Sequence, residues 1–150
     1  MSKMYLAYGS NLDVNQMLRR CPDAVMIGSS VIKNHELRFR GNYRCIGVAT
    51  IEPKKGSSVP VGIWLISSED ERSLDRYEGY PFLYTKKTLQ VPFRGDFLSA
   101  MVYTMTKGHD IAPPSSAYLE TISTGYDDFG FNKAPLIRAA KKAGWRNDNE

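Results

Sequence analysis

Two short stretches hold the residues whose types and spacing could do chemistry. The first is Glu78, which closes a segment over about 69–78 just ahead of Gly79 and Pro81. That segment has helical character, and a glycine followed closely by a proline ends it. A carboxylate in a last helical turn faces the negative end of the macrodipole, unfavourable by about 0.3–1 kcal/mol. Its neighbours Tyr77, Tyr80 and Pro81 hydrate it poorly. Both effects disfavour the charged form and raise the pKa, as a general acid/base requires. An ordinary exposed glutamate at a helix end is the competing explanation. The second stretch runs from Met4 to Asp13, where Tyr5-Leu6-Ala7-Tyr8 gives way to Gly9-Ser10-Asn11. Gly9 lets a ligand approach the main chain, and Ser10, Asn11 and Asp13 suit turns and N-caps. Free backbone N–H groups at such a place attract an anion or a polarised carbonyl oxygen. A plain strand–turn–helix junction would use the same residue types.

Other chemistries lack support. Ser10 has no G-x-S-x-G setting, and His35 and His109 have no partner pattern, so a nucleophilic serine is not indicated. Cys21 and Cys45 stand apart, with no CxxC and no histidine at ligand spacing, which predicts no metal and two reduced, partly buried thiols. Neither metal nor cofactor is expected.

The elements that must position these residues follow from periodicity. A strand over about 3–8 leads to a short helix over Asp13–Arg20, with Val14, Met17 and Leu18 on one face, ended by Cys21-Pro22. Ala24–Arg40 is rich in β-branched residues, with a bend at Gly28-Ser29-Ser30. Cys45–Ile51 and Val59–Ile66 read as a hairpin around Glu-Pro-Lys-Lys-Gly-Ser-Ser, the second strand apolar on both faces and therefore central. The next helix, about 69–78, opens on a Ser68/Glu71 capping box. Strands Tyr84–Phe93 and Phe97–Met105 flank a turn at Arg94-Gly95-Asp96. Ser115 or Ser116 caps a helix carrying Tyr118, Leu119 and Ile122 that runs to Gly130. Asn132 caps a last helix, Lys133–Ala143. Strands arrive in runs, which favours an α+β fold with a mixed, mostly antiparallel, curled sheet.

At 150 residues, 42% hydrophobic and 24% charged, the chain reads as one globular domain, 1–150, with a polar tail from about 146. Nine tyrosines and six phenylalanines suit a β-rich core or a pocket walled with hydroxyls. The net charge of +4 is scattered, and Arg38, Arg40 and Arg44 read as the wet face of a strand, so nucleic-acid binding has no motif behind it. With no apolar run of spanning length and no signal pattern, a cytoplasmic protein without a membrane partner is expected.

Together the two stretches resemble a known family. Tyr8-Gly9-Ser10-Asn11-Leu12 after a first strand is similar to the YGSN loop of the γ-glutamylcyclotransferase-like family. Leu74-Asp75-Arg76-Tyr77-Glu78-Gly79-Tyr80-Pro81 resembles its L-D-x-x-E-G-x-P motif, and Tyr84-Thr85-Lys86 its Y-x-R/K continuation. Tyr118 to Ile122 with Gly125-Tyr126, then Phe129-Gly130-Phe131, resembles its closing helix. The resemblance implies a small, partly closed β-barrel with flanking helices. It implies a reaction in which the α-amine of a γ-glutamyl group attacks its own γ-carbonyl, releasing 5-oxoproline and an amine or amino acid. Glu78 would be the catalytic acid/base. Gly9, Ser10, Asn11 and Leu12 would offer backbone donors, while Tyr8, Tyr84 and Tyr126 would contact the γ-glutamyl substrate. A binding module of the same fold, without turnover, is the alternative.

Overall fold

The computed structural model describes residues 1–146, so the expected tail lies, past Arg146, outside the described residues. In chain order the elements are β1 (Lys3–Ala7), a 3-10 turn (Ser10–Leu12), α1 (Val14–Arg20), β2 (Val25–Gly41) and β3 (Gly47–Ile66). They continue with α2 (Ser68–Glu78), β4 (Tyr84–Phe93), β5 (Asp96–Met105), α3 (Ser116–Phe129) and α4 (Ala134–Lys142). The strands form one five-stranded sheet in the order β2-β3-β1-β5-β4. Only the β1–β5 pair, at Tyr5 and Met101, is parallel. The sheet is thus mixed and mostly antiparallel, as the runs of strands predict. Its edges approach each other without a ladder. The Ser30 hydroxyl donates to the Pro92 carbonyl, and the Phe93 ring covers Gly28, where a Cβ would lie 2.9 Å from the ring. Closure of the expected barrel goes that far and no further.

The expected hairpin between 45–51 and 59–66 does not exist. Gly47–Ile66 is one strand, and its antiparallel partner is β2. The turn between them is built by Asn42, whose side-chain oxygen accepts from the amides of Arg44 (2.9 Å) and Ile46 (3.1 Å). Cys45 sits in that turn at φ +61 and is exposed, not at the head of a strand. The Pro-Lys-Lys-Gly-Ser-Ser cluster does bend the chain, but only as a bulge opposite Asn34, where the register shifts between Lys33 and His35. A second shift, between Met26 and Gly28, is the bend expected there. β3 lies between β2 and β1 and buries Ile63, Trp64 and Ile66, in line with the central strand its apolar faces predict.

Caps fix the helices that flank the site. Asp13 caps α1 by accepting from the Gln16 amide at 3.1 Å. The capping box of α2 is one residue earlier than the pattern suggests. Ser67 Oγ accepts from the Asp70 amide and Asp70 Oδ2 accepts from the Ser67 amide, both at 3.1 Å. Asp70 wins over Glu71 because its side chain is buried there, while Glu71 reaches Lys3 and Lys86 instead. Gly79 ends α2 at φ +65, and the Tyr80 amide reaches back to the Asp75 carbonyl at 2.9 Å. Ser115 caps α3, and Asn132 accepts from Ala134 at the start of α4. Arg94 and Gly95, both at positive φ, turn the tight β4–β5 hairpin. Of the three arginines expected on a wet strand face, Arg38 pairs with Glu36 and Arg40 with Glu52 through two nitrogens, while Arg44 lies exposed in the β2–β3 turn and not on a strand.

Candidate active site

A cavity of about 250 Å³ opens where the end of β1, the 3-10 turn, the end of α2 and the inner surface of β3, β4, β5 and α3 converge. Glu78 and the Gly9–Asn11 turn, 67 residues apart in sequence between Asn11 and Glu78, both line it. Six tyrosines complete the wall: Tyr5, Tyr8, Tyr77, Tyr84, Tyr103 and Tyr118. Among the residues lining the cavity Glu78 is the one carboxylate, and it has no hydrogen-bond or ion-pair partner among the described residues. Loss of water around it pushes its pKa up to about 8, and Arg20 alone pulls the other way. The helix-end carboxylate is therefore tuned in the direction its sequence setting predicts.

The tyrosine hydroxyls do not compete with it for protons. Burial drives Tyr5, Tyr8, Tyr84, Tyr103 and Tyr118 upward from the ordinary tyrosine value, so they stay neutral. Their bonds set what each can offer. Tyr8 donates to the Tyr103 carbonyl at 2.6 Å, and Tyr84 to the Ala49 carbonyl at 2.5 Å, so both protons are committed. Tyr118 Oη instead accepts from the Ala49 amide at 3.0 Å, which leaves its own proton to donate. Ser10 Oγ and Tyr77 Oη share a hydrogen bond of 2.9 Å, and Asn11 donates to Tyr5 Oη at 2.9 Å. Tyr103 donates to Asp75 at 2.6 Å, and Asp75 is held in turn by Lys86.

The turn itself is fixed by packing. Ser10, Asn11 and Leu12 are buried although they form only one 3-10 turn. The reason is Gly125 of α3, which lies against the main chain of the turn. A Cβ on Gly125 would lie 2.4 Å from Leu12 Cβ and 2.5 Å from the Leu12 carbonyl carbon. The first amides of such a turn have no acceptor within it. Ser10 and Asn11 hold those positions beside the cavity.

Of the residues expected at a site, Tyr8, Gly9, Ser10, Asn11, Glu78 and Tyr84 come together on this wall. Leu12 and Tyr126 do not. The Leu12 amide closes the turn onto the Gly9 carbonyl at 3.0 Å, and its side chain is fully buried, so it anchors the turn and has no donor to spare. Tyr126 is fully buried against Phe131, with ring centroids 5.6 Å apart. The glycine before it brings α3 down onto the turn, which closes space around Tyr126 and does not free it. His109, which reads as a solvated loop residue, ties that loop to the β2–β3 turn. Its ring nitrogens lie 3.1 Å from the Gly41 carbonyl and 3.0 Å from the Thr106 hydroxyl. Tyr5, Asn42, Leu83 and Tyr103 are wall residues that sequence patterns do not single out. The count of nine tyrosines is the only hint of such a wall.

The fold and this cavity define a class, and comparison with known proteins gives the same one. A sequence profile described as "Gamma-glutamyl cyclotransferase, AIG2-like" matches residues 5–124. The chain belongs to that family. It is similar to the γ-glutamylcyclotransferase of Mus musculus, with 31% identity over 136 residues, covering 85% of this chain and 71% of the mouse protein. The protein of the same name from Homo sapiens is 29% identical over 140 residues, covering 86% and 72%. A solved structure of a "Gamma-glutamyl cyclotransferase" superposes with a TM-score of 0.81 at 29% identity, covering 99% of this chain and 90% of that one.

Proposed function

We propose that this protein is a γ-glutamyl cyclotransferase, converting a γ-glutamyl amine or amino acid to 5-oxoproline and the free amine. The observation that carries this reading is the lone, unpaired Glu78 carboxyl facing the 3-10 turn across a tyrosine-walled cavity. The attacking amine and the γ-carbonyl belong to one molecule, so the site has only to fold the substrate into a near-attack shape. Ionised Glu78 takes a proton from the substrate ammonium, and the freed nitrogen attacks the γ-carbonyl carbon. The tetrahedral intermediate then expels the amide nitrogen, which collects that proton from Glu78 as the C–N bond breaks. The second excess proton, on the ring nitrogen, passes through Glu78 to the departing amine, which leaves as an ammonium. One carboxyl serves both transfers and ends as it began. Gly9, Ser10 and Asn11 supply main-chain donors, and Tyr118 a hydroxyl proton, to the developing oxyanion or the substrate carboxylate. Tyr8 and Tyr84, their protons committed elsewhere, shape the wall.

The test is a panel of γ-glutamyl amino acids and γ-glutamylamines assayed with purified protein, reading 5-oxoproline. Turnover of at least one member is expected, and the Glu78→Gln variant should lose about 10²–10⁴-fold with its fold retained. Binding of a panel member without release of 5-oxoproline would favour the binding module. Turnover unaffected by Glu78→Gln would remove the proposed proton carrier.

A further inference from the structure

Arg20 is the last residue of α1, at the carboxyl end where a cation is favoured in any helix. Its contacts go further than that. Nη1 donates to the Asn11 side-chain oxygen, and the guanidinium lies over the Tyr77 ring with Cζ 3.3 Å from the centroid. Arg20 makes no ion pair among the described residues. Asn11 belongs to the 3-10 turn, and Tyr77 precedes Glu78 on α2, so one side chain touches both halves of the site. Both contacts are extended by further bonds, from Asn11 to Tyr5 Oη and from Tyr77 Oη to Ser10 Oγ. The result is a closed set in which turn, helix end and first strand are joined through a single cation.

We infer that Arg20 is a positioning residue, clamping the Gly9–Leu12 turn to the end of α2 so that the turn's donors and Glu78 face the same substrate. Arginine suits the task where lysine does not. Its planar fork can bond Asn11 while stacking on Tyr77, whereas an ammonium is a point charge. The groups set around Glu78 are Tyr5 and Tyr8 from the first strand and its end, Tyr77 on α2, Tyr84 on β4, Tyr103 on β5 and Tyr118 on α3. Behind Tyr103 lie Asp75 and Lys86, which bind each other. Arg20 is the cation that acts on Glu78, holding its carboxyl lower than burial alone would.

This inference rests on the reading of Glu78 as proton carrier, and the test separates the two. Arg20→Gln and Arg20→Lys are compared with the full-length protein for turnover of γ-glutamyl-alanine, its pH dependence, thermal melting and the ¹³C titration of the Glu78 carboxyl, assigned with Glu78→Gln. In Arg20→Gln, kcat should fall about 10–100-fold as the donors lose register. The rising limb of the pH profile and the carboxyl titration should both move upward, because a nearby cation has gone. Arg20→Lys should return the titration toward that of the unaltered protein while leaving kcat low. Full recovery of kcat by lysine would overturn the clamp, since charge alone would then suffice. So would kinetic constants in Arg20→Gln within about two-fold of the starting protein. If Arg20→Gln does not fold, the lysine variant alone decides by the same criterion. If the unaltered protein turns over no γ-glutamyl compound, the proposed activity fails, and the clamp is judged on thermal melting, which should fall in both variants as the turn is released from α2; an unchanged melting temperature in both overturns it.

Discussion

Glu78 has an ordinary carboxylate value of 4.5 when unfolded and one near 8 in place, and the sign of that shift has two consequences. On the proposed mechanism Glu78 must start ionised to accept from the substrate ammonium, so kcat/KM should rise with pH along a limb centred near 8. A pH–rate profile of the purified protein checks this, and a limb near 4.5 would mean that burial does not raise the pKa of the carboxyl that governs the rate. Stability runs the opposite way. Between about 4.5 and 8 the folded protein keeps a proton that the unfolded chain has released, so folding weakens as pH climbs through that window. Glu78→Gln removes the ionisation, and its melting temperature should exceed that of the unaltered protein by a margin that widens from pH 5 to pH 8. The thiols give an independent residue-scale check. Burial, with Asp70 adding to it, pushes the Cys21 thiol up to about 12, while Cys45 sits exposed in the β2–β3 turn. A chromogenic disulfide reagent should therefore titrate one thiol rapidly and the second only on unfolding.

At the scale of elements, the site depends on how closely α3 lies on the 3-10 turn. Gly125→Ala would place a methyl against the Leu12 main chain, which cannot swing aside as a flexible side-chain end could. The expected outcome is a loss of about 1–3 kcal/mol in urea unfolding together with a raised KM, as the turn is pushed away from the cavity. Asp70 secures the other half. It completes the capping box of α2 and is 1% exposed, so Asp70→Ala should cost about 1–3 kcal/mol while leaving KM nearly unchanged. A raised KM in the first variant and an unchanged KM in the second, at similar stability cost, would separate turn placement from helix anchoring.

The whole molecule explains which parts were legible in the sequence. Glu78 and Gly9-Ser10-Asn11 stood out because their types conflict with, or punctuate, their local setting, and both prove to line one cavity. Arg20, Tyr5 and Tyr103 gave no local signal, since each acquires its role from residues remote in sequence. The 47–66 strand is hidden in the sequence because Pro53, Gly56 and their neighbours have turn chemistry, and only pairing with β2 absorbs that bend as a bulge. The burial of Tyr126 is hidden for a related reason: a glycine in a helix does not reveal which side another segment presses against. Helix caps and strand order of the β4–β5 pair, by contrast, follow from neighbours in sequence and were readable to within a residue or two.

The β1–β5 pairing carries a temporal consequence. The β2–β3 and β4–β5 ribbons join neighbours in the chain and can form early, whereas β1 must wait first for β3 and then, for its other edge, for β5, as the Tyr8–Tyr103 bond across 95 positions records. The cavity wall then draws on Tyr118 as well. During synthesis the Gly9–Asn11 turn is among the first segments to leave the ribosome and among the last to find its surroundings. A nascent chain stopped before α3 would hold the Glu78 carboxyl and the turn without Gly125 and Tyr118 to press them into one cavity, so the cavity is complete only within the final third of translation.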